Sequence, residues 1–216
     1  MDIQAKLTGF AMLGATWVMW VLVGLSIGGV AIALDRAIYL IRTSDNYRRL
    51  KRELLAFLRV GDVESARERL AASKSVEAQV AAAGLSAPED GAASAEERIA
   101  GATQVAKIRM ERRLAFLGTL GSNAPFIGLL GTVIGIIRAF AELNEAAGKV
   151  TAGLMSEVGE ALVATAIGIM VAIPAIAVFN AYQRVIKTRL ARAESLGREV
   201  MAYLKSDRAP QSANVA

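Results

Sequence analysis

Three long stretches of the chain hold no charged side chain: Leu7 to Leu34, Leu114 to Ile137 and Ala161 to Gln183, windows of 28, 24 and 23 residues. A bilayer core of roughly 30 Å is crossed by about 20 helical residues, so each window is long enough to span. A helix at the edge of a soluble core shows a polar stripe, and these windows have none. The pattern predicts an all-α membrane protein with transmembrane helices over 10–34, 114–141 and 158–183.

Between the first two windows the pattern changes. Leu50, Leu54, Phe57 and Leu58 form one apolar stripe, and Gly61-Asp62 reads as a stop followed by a fresh N-cap. Val63, Ala66 and Leu70 continue on a second short helix, and Gly84 to Ser94, with Pro88 and Gly91, reads as a loop. Ser94 with Glu97 has the spacing of a capping box. From there Ile99, Ala106, Met110 and Leu114 keep helical spacing into the second span, which predicts one helix from about residue 95 to 141. Ile186, Leu190, Ala193, Val200 and Leu204 extend the third span in the same way. Two spans that continue past the bilayer predict a helical bundle outside it. The remaining limits are an N-terminal segment 1–9, a helical loop 35–113, a connection 142–157, a helix 184–205 and a polar tail 206–216 expected to be disordered.

The 216 residues are 54% apolar and carry 25 Lys and Arg against 20 Asp and Glu, a formal charge of +5. That excess does not point to nucleic acid, because the basic residues flank the spans. They crowd residues 36–52, 98–113 and 184–198, whereas the opposite ends have only Lys6, Arg138 and Lys149. The positive-inside rule then puts residues 35–113 and the C-terminus in the cytoplasm, with the N-terminus and the 142–157 connection on the periplasmic side. The first span is read as uncleaved, since Asp2 opposes a single Lys6 ahead of it and the run ends at Asp35-Arg36. There is no Cys and no His, so disulfide and thiol chemistry, the usual transition-metal ligands and the commonest general base are all missing. No cofactor, no metal and no enzymatic activity are expected.

Chemistry is concentrated in spans two and three. Gly118, Gly121, Pro125, Gly128, Thr132, Gly135 and Ala139 recur at separations of 3 and 4, a stripe of small residues that lets another helix approach closely in lipid. Thr132 places a hydroxyl on that seam, which either bonds its own backbone four residues back or lines a polar path. Glu160 begins the third span, where a carboxylate either reaches water at the headgroups or faces a hydrated pore. Ala164, Gly168 and Ala172 continue the face of Glu160, and Thr165 lies about 140° round the helix from it. Pro174 deprives this helix of one backbone hydrogen bond.

The segment Leu120-Gly121-Ser122-Asn123-Ala124-Pro125-Phe126-Ile127-Gly128-Leu129-Leu130-Gly131-Thr132-Val133-Ile134-Gly135-Ile136 resembles the second-helix signature of the MotA/TolQ/ExbB proton channel family. Gly159-Glu160-Ala161-Leu162-Val163-Ala164-Thr165-Ala166-Ile167-Gly168, followed by Ala172-Ile173-Pro174-Ala175 and Phe179-Asn180, resembles its third-helix signature. Three spans with a long first loop match the TolQ and ExbB branch. The resemblance implies a homo-pentamer in the bacterial inner membrane around the single spans of ExbD- or TolR-like subunits that carry an essential aspartate. It implies that Thr132, Thr165 and Glu160 serve the proton pathway, the proton being the transported ion. Gly121, Pro125, Gly128, Gly131, Gly135, Gly168, Pro174 and Asn180 match signature positions with packing roles. The implied load is a TonB-, TolA- or gliding-machinery-like protein. Proton coupling is favoured over sodium because the polar groups are too sparse for a sodium cage. The rival reading is a structural membrane scaffold that recruits cytoplasmic partners and conducts nothing.

Overall fold

The computed structural model describes residues 14–206. The expected N-terminal segment 1–9 and residues 207–216 of the expected tail lie outside the described residues. Every regular element is helical: α1 Thr16–Arg42, α2 Tyr47–Val60, α3 Val63–Ala71, α4 Val76–Gly84, a short tight turn at Pro88–Asp90, α5 Gly91–Glu111, α6 Leu114–Glu145 and α7 Ala152–Leu204. No strand occurs among the described residues. Three helices are long and apolar enough to cross a membrane; their apolar windows lie in α1, α6 and α7.

Two compact units divide the chain. One takes the residues up to Leu34 with Arg113–Ala181, and the other takes Asp35–Arg112 with the residues from Tyr182 onward. The first is a three-helix unit whose interior is built from small and medium side chains. Ala15, Val18 and Leu22 meet Leu120, Ala124 and Ile134 of α6 and Ala172 and Ala175 of α7. Large apolar side chains point outward instead, among them Trp20, Ile27, Phe126, Phe140, Leu162, Met170 and Ile173. That inversion suits lipid as the solvent: tails are as apolar as leucine, so close backbone approach holds the helices together.

The second unit has the opposite order. Leu50, Leu54 and Leu58 of α2 pack with Ala66 and Leu70 of α3, Ala78 and Ala81 of α4, Leu85, and Leu196, Val200 and Tyr203 of α7. Its polar residues end helices and tie them to one another. Gly61 closes α2 in the left-handed region at φ 77°, where a side chain would be strained. The Asp62 carboxylate then accepts from the Ser65 amide and opens α3, as the Gly61-Asp62 pair predicts. Arg189 of α7, buried at 6% exposure, pairs with buried Glu77 of α4 at 3.0 Å. It also donates to the Leu40 carbonyl at 3.1 Å and to the Thr43 carbonyl, the C-terminal end of α1.

Three expectations need correction. The single helix predicted over 95–141 is two helices. Arg112 turns extended at ψ 130° and Arg113 takes φ 64°, so α5 ends at Glu111 and α6 begins at Leu114. The capping box at Ser94 and Glu97 does not form, because α5 already begins at Gly91 and both residues lie inside it. The expected loop at 84–94 is shorter, since α4 reaches Gly84 and α5 starts seven residues later; Ser75 caps α4, a helix that periodicity did not predict. Residues 10–13 of the expected first span lie outside the described residues, residues 14 and 15 precede α1, and 146–151 separate the helices α6 and α7.

Candidate functional site

The small-residue stripe of α6 lies against α7, and the two run antiparallel. A Cβ at Gly121 would meet Ile176, one at Gly128 would stand 2.8 Å from the Ala164 carbonyl oxygen and 3.0 Å from the Thr165 Cα, and one at Gly135 would meet Ala161. From the other side, a Cβ on Gly168 would fall 2.7 Å from the Ala124 carbonyl oxygen. At Gly128 and Gly168 the atoms met are backbone atoms, so no rotamer change relieves these contacts. Gly131 completes the contact beside Ala164. Pro125 and Pro174 lie inside uninterrupted helices, and Pro174 helps line a small apolar cleft of about 70 Å³ with Ser26, Gly29 and Leu117. Asn180 is exposed beside Ala181, the last residue of this unit.

Close approach at Gly128 brings the two threonines together. The Thr132 and Thr165 hydroxyls are hydrogen-bonded to each other, and each also reaches the Gly128 carbonyl oxygen, at 3.3 Å and 3.2 Å. Thr132 thus reaches its own backbone four residues back, as one of the alternatives has it, and also meets a second hydroxyl across the seam. Both side chains are half-buried.

Glu160 lies five residues before Thr165, about 7.5 Å along the helix axis. It is also half-buried, and Thr16 at the start of α1 donates to its Oε1 at 2.5 Å. One turn earlier Glu157 is paired with Arg138 of α6 at 2.9 Å, while its second carboxylate oxygen is buried with no hydrogen-bond partner among the described residues. Sequence reasoning missed Thr16 and Glu157. Thr16 lies in a span without a signature, and Glu157 reads as a residue of the connecting loop. Their legible signal was the helical spacing from Glu157 to Glu160 together with Arg138, a charge at the end of span two.

No group of three or more acidic side chains gathers among the described residues to hold a metal. Gly24, Ser26 and Gly28 share the spacing of a hydrolase nucleophile elbow, but they lie inside the uninterrupted α1, away from any strand-to-helix turn.

The model of the MotA/TolQ/ExbB proton channel family matches residues 72–195, more than half of the chain and including the α6–α7 seam. The biopolymer transport protein ExbB of Xanthomonas campestris pv. campestris is 36% identical over 92 residues, 43% of this chain and 36% of that protein. The Tol-Pal system protein TolQ of Pseudomonas aeruginosa is 37% identical over 96 residues, 44% of this chain and 42% of that protein. The chain thus spans less than half the length of these two relatives. The biopolymer transport protein ExbB of Salmonella typhimurium matches more widely, 31% identical over 173 residues, 74% of this chain and 70% of that protein. With three membrane-length helices, a glycine seam that joins two of them and a family match across that seam, the chain belongs to the MotA/TolQ/ExbB proton channel family.

Proposed function

We propose that this chain is the channel-forming stator subunit of a proton-driven inner-membrane motor, with Thr132, Thr165 and Glu160 as its own part of the ion path. The observation that carries this reading is the meeting of two hydroxyls at one backbone carbonyl inside an otherwise apolar seam. A hydroxyl both donates and accepts, so a proton taken up at one oxygen can be released from the other. Whichever threonine donates to its neighbour, the second hydrogen goes to Gly128, and a lone pair on the first oxygen stays open to a donor from outside the chain.

Glu160 supplies the acid at one end of this track. A carboxylate costs about 2.5–3.5 kcal/mol at the centre of a bilayer on insertion scales and less toward the interface, where Glu160 begins the third span, and a hydroxyl donor such as Thr16 offsets part of that. The main proton carrier in this reading is the membrane aspartate of a single-span subunit resembling ExbD or TolR. A homo-pentamer of this chain encloses two such spans. The Lys and Arg distribution supports a periplasmic N-terminus. Relatives named ExbB and TolQ support a load of the TonB-type uptake or Tol-Pal class, and the family resemblance adds gliding machinery. A proton falling through 100 mV releases about 2.3 kcal/mol, enough to bias a small rotation at a seam that has few knobs to lock it.

The test is proton influx into vesicles that hold this chain with its single-span partner. Wild type acidifies the lumen under an imposed gradient, whereas Thr132→Ala and Thr165→Val assemble normally and conduct about tenfold less, what the loss of one hydrogen bond of about 1.4 kcal/mol amounts to. A scaffold would assemble and leave influx at background with all three proteins.

A further inference from the structure

The family match begins at residue 72, so the first span lies outside it. That span nevertheless supplies the donor to Glu160, the Thr16 hydroxyl, across 144 positions of sequence. Thr16 is no free arm. Ala15 before it and Val18 and Leu22 after it are at 0% exposure in the core they share with α6 and α7. Threonine is also stiff about its first side-chain torsion, so the position of its hydroxyl follows the backbone that carries it.

The charged groups near Glu160 leave this role to Thr16. On its own helix Glu157 is occupied by Arg138 from α6, and α1 has no charged residue from Thr16 to Leu34. Among the described residues, Thr16 is the donor recorded at Glu160.

We propose that Thr16 is a positioning residue for Glu160, tying the first span to the ion path by a bond whose strength changes each time the carboxyl gains or loses its proton. A hydroxyl bond to a carboxylate is roughly twice as strong as one to a neutral acceptor, so α1 is held firmly while Glu160 is charged and loosely once it is protonated. The inference rests on the ion-path reading above, and it makes the first span a moving part of the cycle.

Two variants separate the hydroxyl from its shape: Thr16→Val keeps the shape and loses the donor, and Thr16→Ser keeps the donor. In the purified complex, the infrared carboxylate stretch of Glu160 is isolated by difference against Glu160→Gln. The expected result is a band that shifts in Thr16→Val and stays in place in Thr16→Ser. Influx in vesicles should fall about tenfold in the first variant and stay within about twofold of wild type in the second. A band that does not move in Thr16→Val overturns the inference, as does a Thr16→Val complex that conducts like wild type. A wild-type complex without influx overturns the ion-path reading itself, and the inference with it. Should Thr16→Val fail to assemble, Thr16→Ala carries the same comparison.

Discussion

At Gly128 a single methyl group would press on the Ala164 carbonyl oxygen and the Thr165 Cα at 2.8 Å and 3.0 Å. Neither neighbour can swing aside, because both belong to the backbone of α7. The helices must separate by some tenths of an ångström, and the threonine hydroxyls, joined only by close approach, separate with them. Gly128→Ala is therefore expected to destabilise the detergent-solubilised protein by about 1–3 kcal/mol, the usual penalty of overpacking. It should lower proton influx as far as Thr165→Val does, even though both hydroxyls remain. Thermal unfolding and the vesicle assay check the two halves. Full influx in Gly128→Ala would mean that the hydroxyl contact is incidental to the glycine seam.

Among the elements, α7 brings the two acids and a threonine to the membrane unit, and Arg189 to the second unit. There Arg189 gathers α4 through Glu77 and the end of α1 through the Leu40 and Thr43 carbonyls. Removing one partner leaves an uncompensated buried charge, a loss of about 3–5 kcal/mol, whereas replacing both with apolar groups of similar size is often neutral. Arg189→Met and Glu77→Leu alone should each lower the melting temperature sharply, and the double variant should recover most of it. Little of this network was legible in the sequence, since Glu77 and Arg189 lie 112 positions apart and each alone reads as a solvated charge. Elements marked by local chemistry were legible: the three apolar windows, Gly61-Asp62 and the glycine stripe. The break at Arg112 and Arg113 was not, because no glycine or proline marks it and Met110 and Leu114 keep helical spacing across it. At the candidate site the sequence places Thr132 and Thr165 on their helices, but only the antiparallel register of α6 and α7 determines that they meet.

Taken whole, the molecule combines a unit held by close packing with one held by an apolar core and many charged contacts, and acid should distinguish the two. In the second unit Asp45 accepts from the Ser73 hydroxyl at 2.6 Å and the Asn46 amide at 2.7 Å, with Arg69 at 3.5 Å. The Ser73 bond is the largest cause holding the Asp45 carboxyl below its ordinary value, against an opposing effect of burial; Arg49 and Arg69 do the same for Glu53. A carboxyl whose value falls on folding stabilises the native state fully above its unfolded value, and that contribution disappears as pH drops through the folded value. For these two groups the window opens near the ordinary carboxylate range of about 4 and extends below it. Wild type in detergent should keep its melting temperature from pH 7 to about pH 5 and then lose it steadily. Asp45→Asn should melt lower at pH 7, and its deficit should shrink as the pH falls from about 4 toward the lowered value at which the folded wild-type carboxyl takes up its proton. A deficit that stays constant across that range would show that Asp45 holds the loop by shape, with its charge irrelevant.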